Sequence, residues 1–446
     1  MGKRRFVLPA VLRALGYRNF RLFITGQFVS LVGTWMQNVA QSWLIYRLTG
    51  SSLLLGSLGF VSQIPIFLLA PVGGAVADRL DRRRVVISTQ VAMMLLAFVL
   101  GILTLTGWVK IWHVLVLSAL LGAVNAFDIP ARQSFFVEMV GRQDLINAIA
   151  LNSSVFNGAR IIGPAIAGVL IAAIGEGWCF MANAASYLAV IAGLIMIQTA
   201  PRPLPRPSST AWSDMTQGFV FVWRTGPIRA LLGLLGFASL IGMPYTVLLP
   251  IFAARVLQGG ATTLGLLLGA TGIGALAGAL RIAVREHARG LGRWVAISCA
   301  CFGAGLIIFS FSRWLWLSVA VLTPIGFAMM VQMGSSNTLI QTIVPDHLRG
   351  RVMAVYSMML LGMAPFGSLL AGAIAQRIGA PLTVAMGGAG CLVGAAIFWK
   401  QWPALQLVAR QLVVAHPAIS AKSSEQTTAA LRMDPSMTCT DADEEL

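Results

Sequence analysis

Arg160 lies 12 residues inside an apolar run that begins at Ala148, about 18 Å deep at roughly 1.5 Å per helical residue. Inserting a guanidinium there costs at least about 2.5–3.5 kcal/mol, so it must meet a partner, water or a ligand. Ser153, Asn157 and Pro164 follow the same helical spacing, and an earlier run carries Gln27, Ser30, Thr34, Gln37, Asn38 and Gln41 every three or four residues. Two polar stripes that face each other would line a cavity. For any single Ser or Gln, hydrogen bonding between helices is the competing use. The candidate cavity set is Gln37, Asn38, Gln41, Asn157, Arg160, Tyr245 and Gln332, the last beside Met329, Met330 and Met333. Flexible thioethers suit varied apolar ligands and also fill gaps. Trp35, Trp43 and Tyr245 could stack an aromatic ligand or, for the tryptophans, anchor at the membrane interface.

The acids narrow what Arg160 can pair with. Of 15 Asp and Glu residues, most sit in the C-terminal tail or at run ends; Asp128, near the end of the fourth apolar run, is the embedded one. Two readings are open for it: a proton carrier that Arg160 reaches in one conformation, or a helix cap ahead of Pro130. Arg160 correspondingly meets either Asp128 or an anionic group on a ligand. Other chemistries lack their residues. A phosphate loop needs G-x4-G-K followed by Ser or Thr, and Lys3, Lys110, Lys400 and Lys422 stand in no such context. Neither His113, His287, His347 and His416 nor the five cysteines have metal-ligand spacing.

Composition dictates the elements that hold these residues. The chain has 446 residues, 57% hydrophobic and 11% charged, against roughly 25% charged in a soluble domain, and its mean hydropathy is +0.81. A water-soluble globule is excluded. Twelve runs reach the roughly 20 residues needed to span a bilayer: 20–46, 51–77, 85–106, 112–131, 148–174, 178–198, 228–254, 262–284, 294–312, 314–337, 352–376 and 381–402. A net charge of +17 on a soluble domain would point to nucleic acid, but here the bases punctuate the runs. With twelve crossings, 26 of the 32 Lys and Arg residues fall on the side of the termini, five on the other, and Arg160 within. The positive-inside bias then puts both termini in the cytoplasm. The first run is too long for a signal-peptide core and is expected to be retained.

Matched to itself at an offset of 204, the chain superposes Gly158, Gly163, Gly168 and Gly175 on Gly362, Gly367, Gly372 and Gly379. The fifth and eleventh runs are therefore equivalents, and parallel six-span halves with a site near the midplane are a transporter architecture. Between the second and third runs, the stretch from Gly74 to Arg83 sets Asp78 and Asp81 among Arg79, Arg82 and Arg83, a charge cluster that can latch and release at the membrane boundary. It resembles the glycine-aspartate-arginine signature of the major facilitator superfamily, in which the aspartate and arginines gate alternating access. Gly74, Asp78, Arg79, Arg82 and Arg83 match, and Asp81 stands where glycine is usual. The stretch from Gly158 to Gly168, with Gly163-Pro164, resembles the glycine-proline signature of the exporting antiporter branch, and Pro164 lets the helix bend. Asn19-Phe20-Arg21, Gly33-Thr34-Trp35, Leu48-Thr49-Gly50-Ser51, Asn147-Ala148 and Asp128-Ile129-Pro130-Ala131-Arg132-Gln133 are similar to the bacterial transmembrane secretion effectors, a subgroup with enterobactin-type siderophore exporters and multidrug efflux proteins. Ser118 and Leu121 stand about where the antiporters have arginine and glutamine.

The resemblance implies an all-α membrane fold of twelve transmembrane helices in two pseudo-symmetric six-helix bundles. Its expected parts are a cytoplasmic segment 1–19, bundles 20–198 and 228–402, a cytoplasmic connection 199–227 and a disordered polar tail 403–446. It implies a secondary exporter of a small amphipathic or aromatic molecule across the bacterial inner membrane, driven by proton antiport, with Asp128 as proton-coupling candidate. An importer or facilitator of the same fold is the alternative. No enzymatic activity, metal or cofactor beyond the proton gradient is expected. The expected partners are the substrate and the lipid bilayer, not nucleic acid, and the chain is expected to be monomeric.

Overall fold

The computed structural model describes residues 10–141, 143–197, 211–284 and 290–432. After a 3-10 turn (Ala10–Gly16), the chain forms α1 (Arg18–Thr49), α2 (Ser52–Arg79), α3 (Arg82–Leu105), α4 (Ile111–Val140), α5 (Leu145–Ile174), α6 (Glu176–Met196), α7 (Ala211–Arg224), α8 (Gly226–Ile241), α9 (Tyr245–Ile251), α10 (Ala261–Ala283), α11 (Leu291–Phe311), α12 (Leu315–Ile343), α13 (Asp346–Ile378) and α14 (Ala380–Arg432). A π-helical turn (Phe252–Val256) extends α9, so Gly226–Val256 makes one broken crossing. Among the described residues eleven crossings are long and apolar enough to span a membrane. The twelfth, α1, has the length, 32 residues, but its polar stripe makes it less apolar. It can carry that stripe because α5 and α6 pack along it.

The helices pair identically in the two halves. In the first, α1 packs on α5 and α6, α2 on α4, and α3 on α4 and α6; in the second, α8 packs on α13 and α14, α10 on α12, and α11 on α12 and α14. The halves meet mainly along two seams, α2 with α13 and α5 with α10. The repeat glycines explain why. Gly372 faces Gly56 and Gly168 faces Gly265, so close that a Cβ on Gly56 would lie 2.5 Å from the Ser368 carbonyl oxygen and one on Gly265 2.5 Å from that of Pro164. Small residues let helix backbones approach in this way. Gly175 and Gly379 end α5 and α13 at φ 90° and 88°, a conformation open to glycine, and the next helix begins at the following residue each time.

Two segments gain detail. Part of the connection expected at 199–227 is the helix α7, which packs on α13, with Gly218 against the Arg351 backbone; residues 198–210 lie outside the described residues. Through 403–432, expected to be disordered, α14 continues to Arg432, where Ala, Leu, Gln and Arg favour helix. The tail beyond 432, Arg142 and the 285–289 stretch also lie outside the described residues.

Candidate substrate site

A cavity of about 480 Å³ lies between the halves. From α1 it is lined by Thr34, Trp35, Asn38, Val39, Gln41 and Ser42, and from α5 by Arg160 and Pro164; α9 adds Thr246 and Val247, and α10 adds Leu268 and Thr271. On its other walls α2 gives Ser62 and Gln63, and α4 gives Ser118 and Asn125, among apolar neighbours. The Arg160 guanidinium carbon sits 5.8 Å from the centre of the Trp35 ring, and Phe156 meets Trp35 edge-on at 5.6 Å. Among the described residues Arg160 has no ion pair and no hydrogen bond to its side chain.

The cavity thus unites Thr34, Trp35, Asn38, Gln41, Arg160 and Pro164 of the expected residues and leaves out Gln37, Asn157, Tyr245 and Gln332. Gln37 is buried and accepts a 2.7 Å hydrogen bond from Asn183, which ties α1 to α6; it belongs to the alternative use foreseen for such side chains. Asn157 donates to the Ser153 carbonyl one turn back, at 2.8 Å. Tyr245 is buried behind the lining, edge-on to Phe302 at 6.1 Å. Its hydroxyl, like Nε2 of Gln332 on α12, is buried. No methionine of α12 or α13 lines the cavity. Hydropathy alone concealed Ser62, Gln63, Ser118 and Asn125, although Ser118 and Asn125 are two helical turns apart and so share a face.

In this structure Asp128 does not pair with Arg160. It lies mid-helix in α4 rather than at a cap, and is 1% exposed. Thr89 and Gln90 of α3 donate to its Oδ1 at 2.8 and 3.0 Å, and Arg132 approaches its Oδ2 at 3.4 Å one turn on.

The two ends of the seam differ. At the end opposite the termini, Arg255 donates to the Gly50 carbonyl at 3.0 Å, Ser51 and Ser52 donate to Oε1 of Gln376 at 3.2 and 3.0 Å, and Thr262 donates to the Gly168 carbonyl at 3.2 Å. All four bonds cross between halves. Glycine contacts continue the closure down to Phe67 with Gly362 and Arg160 with Gly272. Within the first half, Arg47 holds Glu176 at 2.7 Å.

At the end carrying the termini, the ion pairs among the described residues each lie within one half. Arg82 pairs with Glu138 at 2.9 Å and stands 4.0 Å from Asp78, which is 61% exposed. Arg83 donates to the Leu194 and Ile195 carbonyls, each at 2.8 Å, capping the end of α6. Asp81 accepts from the backbone N–H groups of Arg83 and Arg84 and so starts α3; that is the use of a carboxylate where glycine is usual. Arg79 is exposed, and nothing stands within 4 Å of where a Gly74 Cβ would be. Gly163, by contrast, packs against Val32 and Trp35 of α1. Below α1, Tyr17 donates to Asp144 at 2.8 Å, and this hydrogen bond to a carboxylate raises the phenol above its ordinary pKa. Among the described residues, the hydrogen bonds that join the halves thus gather at the end opposite the termini.

The chain matches the family model described as transmembrane secretion effector over residues 11–421. It is 25% identical to the staphyloferrin A transporter of Staphylococcus aureus, over 85% of this chain and 95% of that protein. It is 28% identical to the multidrug efflux pump Tap of Mycolicibacterium fortuitum, over 76% and 85%, and 25% identical to the enterobactin exporter EntS of Shigella boydii, over 84% and 89%. Among solved structures, a POT family transporter in complex with 5-aminolevulinic acid superposes with a TM-score of 0.71 at 11% identity, covering 87% of this chain and 97% of that one. That likeness is one of fold.

Proposed function

The chain belongs to the transmembrane secretion effector family of the major facilitator superfamily, a membrane transporter and not an enzyme, and on that premise we propose that it exports a small amphipathic or aromatic molecule across the bacterial inner membrane by alternating access. The single observation that carries the reading is the cavity itself, which joins both halves and is sealed at the end opposite the termini. With the termini in the cytoplasm, as the charge asymmetry supports, this is the cytoplasm-facing state in which an exporter loads. The names of Tap and EntS support the outward direction.

In this reading Gly74, Asp78, Arg79, Arg82 and Arg83 are uncommitted to the second half while the cytoplasmic end is open, and engage it when that end closes. Gly163 and Pro164 set the path of α5 past α1, and Gly168 gives the α5–α10 seam its close contact. Proton antiport drives the cycle. Asp128 is its carrier, exchanging the Arg132 and Thr89 contacts for a proton, and the transporter works as a monomer.

Accumulation of labelled candidate compounds in cells expressing wild type or Arg160→Ala, with and without a protonophore, tests this. Lower intracellular label with the wild type, abolished by the protonophore, is expected. Higher label would make the protein an importer, and indifference to the protonophore would remove proton coupling.

A further inference from the structure

We propose that the cavity selects organic anions over organic cations, through a subsite in which Arg160 takes a carboxylate or phenolate oxygen and Trp35 stacks the attached ring. This deepens the exporter reading and rests on it. Arg160 is the one charged residue among those lining the cavity; no Asp, Glu, Lys or His is there. Its guanidinium offers five N–H donors in a planar fork that matches a carboxylate, and no described residue accepts from them.

The acids that could neutralise it are engaged elsewhere. Asp128 is held by Arg132, Thr89 and Gln90, and Glu176 by Arg47. An unpaired guanidinium within a span is costly, and a bound anion removes that cost by pairing with it. An entering cation would add a second positive charge to a site of low dielectric, which repels it.

The rest of the lining fits the same ligand. Trp35, buttressed by Phe156, gives a flat aromatic wall next to the cation. Asn38, Gln41, Gln63 and Asn125 supply neutral, adaptable hydrogen bonds, and Leu55, Leu58, Val247 and Leu268 supply apolar area. A volume of about 480 Å³ falls within the roughly 300–1,000 Å³ of small-molecule pockets.

Three probes of one shape separate charge from size: naphthalene-2-carboxylate, naphthalene-2-carboxamide and 2-naphthylmethylammonium. Their binding is measured by equilibrium dialysis on the full chain in lipid nanodiscs. Wild type is expected to bind the carboxylate at least about tenfold more tightly than the amide, the ratio of one charge-assisted hydrogen bond, and the ammonium most weakly. Arg160→Gln should erase the preference, Arg160→Lys keep part of it, and Trp35→Ala weaken all three probes alike. An ammonium bound as tightly as the carboxylate by wild type overturns the proposal, whether or not any variant folds; so does an unchanged ratio in folded Arg160→Gln. Carboxylate selectivity without efflux from loaded vesicles would defeat the exporter reading alone. Equal efflux of all three probes would defeat this inference alone.

Discussion

The two ends of the inter-half seam use opposite chemistry. Away from the termini, closure rests on facing glycines and on hydrogen bonds that involve no carboxylate: Gly56 on Gly372, Gly168 on Gly265, Arg255 on a carbonyl and Gln376 on two serines. At the end with the termini, the conspicuous groups are ionic, and Arg82, Glu138, Asp78 and Arg83 all find their partners inside the first half. Glycine contacts are set by shape and have little tolerance for added volume. Asp78, 61% exposed, can change partners at modest cost. The sealed end is therefore the one that steric substitutions should break, and the open end the one that charge substitutions should retune.

The largest effect is expected from Gly56→Leu or Gly168→Leu, which force a side chain into backbone. Efflux should fall to the level of cells without the protein while membrane abundance stays near normal. Unimpaired efflux would mean the seam is not needed in this form. Arg82→Gln comes next, since it strips Glu138 of its ion pair; a loss of about 1–3 kcal/mol of stability should appear in detergent thermal denaturation, along with impaired efflux. Gly74→Ala sharpens the contrast, because nothing stands near it in this state. Thermal stability should be unchanged, so any lost efflux reports a contact made only when this end closes. Arg255→Ala with Gln376→Ala should loosen the sealed end, raising outside accessibility of the cavity a few-fold with folding intact. The smallest effect is Tyr17→Phe, which removes one exposed hydrogen bond to Asp144 and should cost no more than about 1 kcal/mol.

Much of the fold could be read from runs and repeats, because a bilayer demands length and apolarity and a repeat demands equivalent glycines. Arg160 could be read as a site residue because a charge amid apolar neighbours has few other uses. The stripe on α1 was harder. Gln37 and Asn38 are adjacent, about 100° apart on a helix, and only the position of Asn183 on α6 sends one into packing and the other into the cavity. Tyr245 and Gln332 needed the break between α8 and α9 and the packing of α12, neither of which periodicity reports. The Asp128 pairing was available in principle, since Arg132 stands at i+4, a spacing that brings side chains together. The cavity faces of α2 and α4 were hidden because Ser62, Gln63 and Ser118 barely interrupt an apolar run.

We propose that this cavity opens to the cytoplasm at rest and is closed to the outside. Asn38 is exposed into it, so Asn38→Cys, with Cys179, Cys299, Cys301, Cys391 and Cys439 replaced, can be treated with a membrane-impermeant thiol reagent. In vesicles of both orientations without substrate, labelling is expected from the cytoplasmic face and not from the outer face. Labelling from the outer face alone would contradict it.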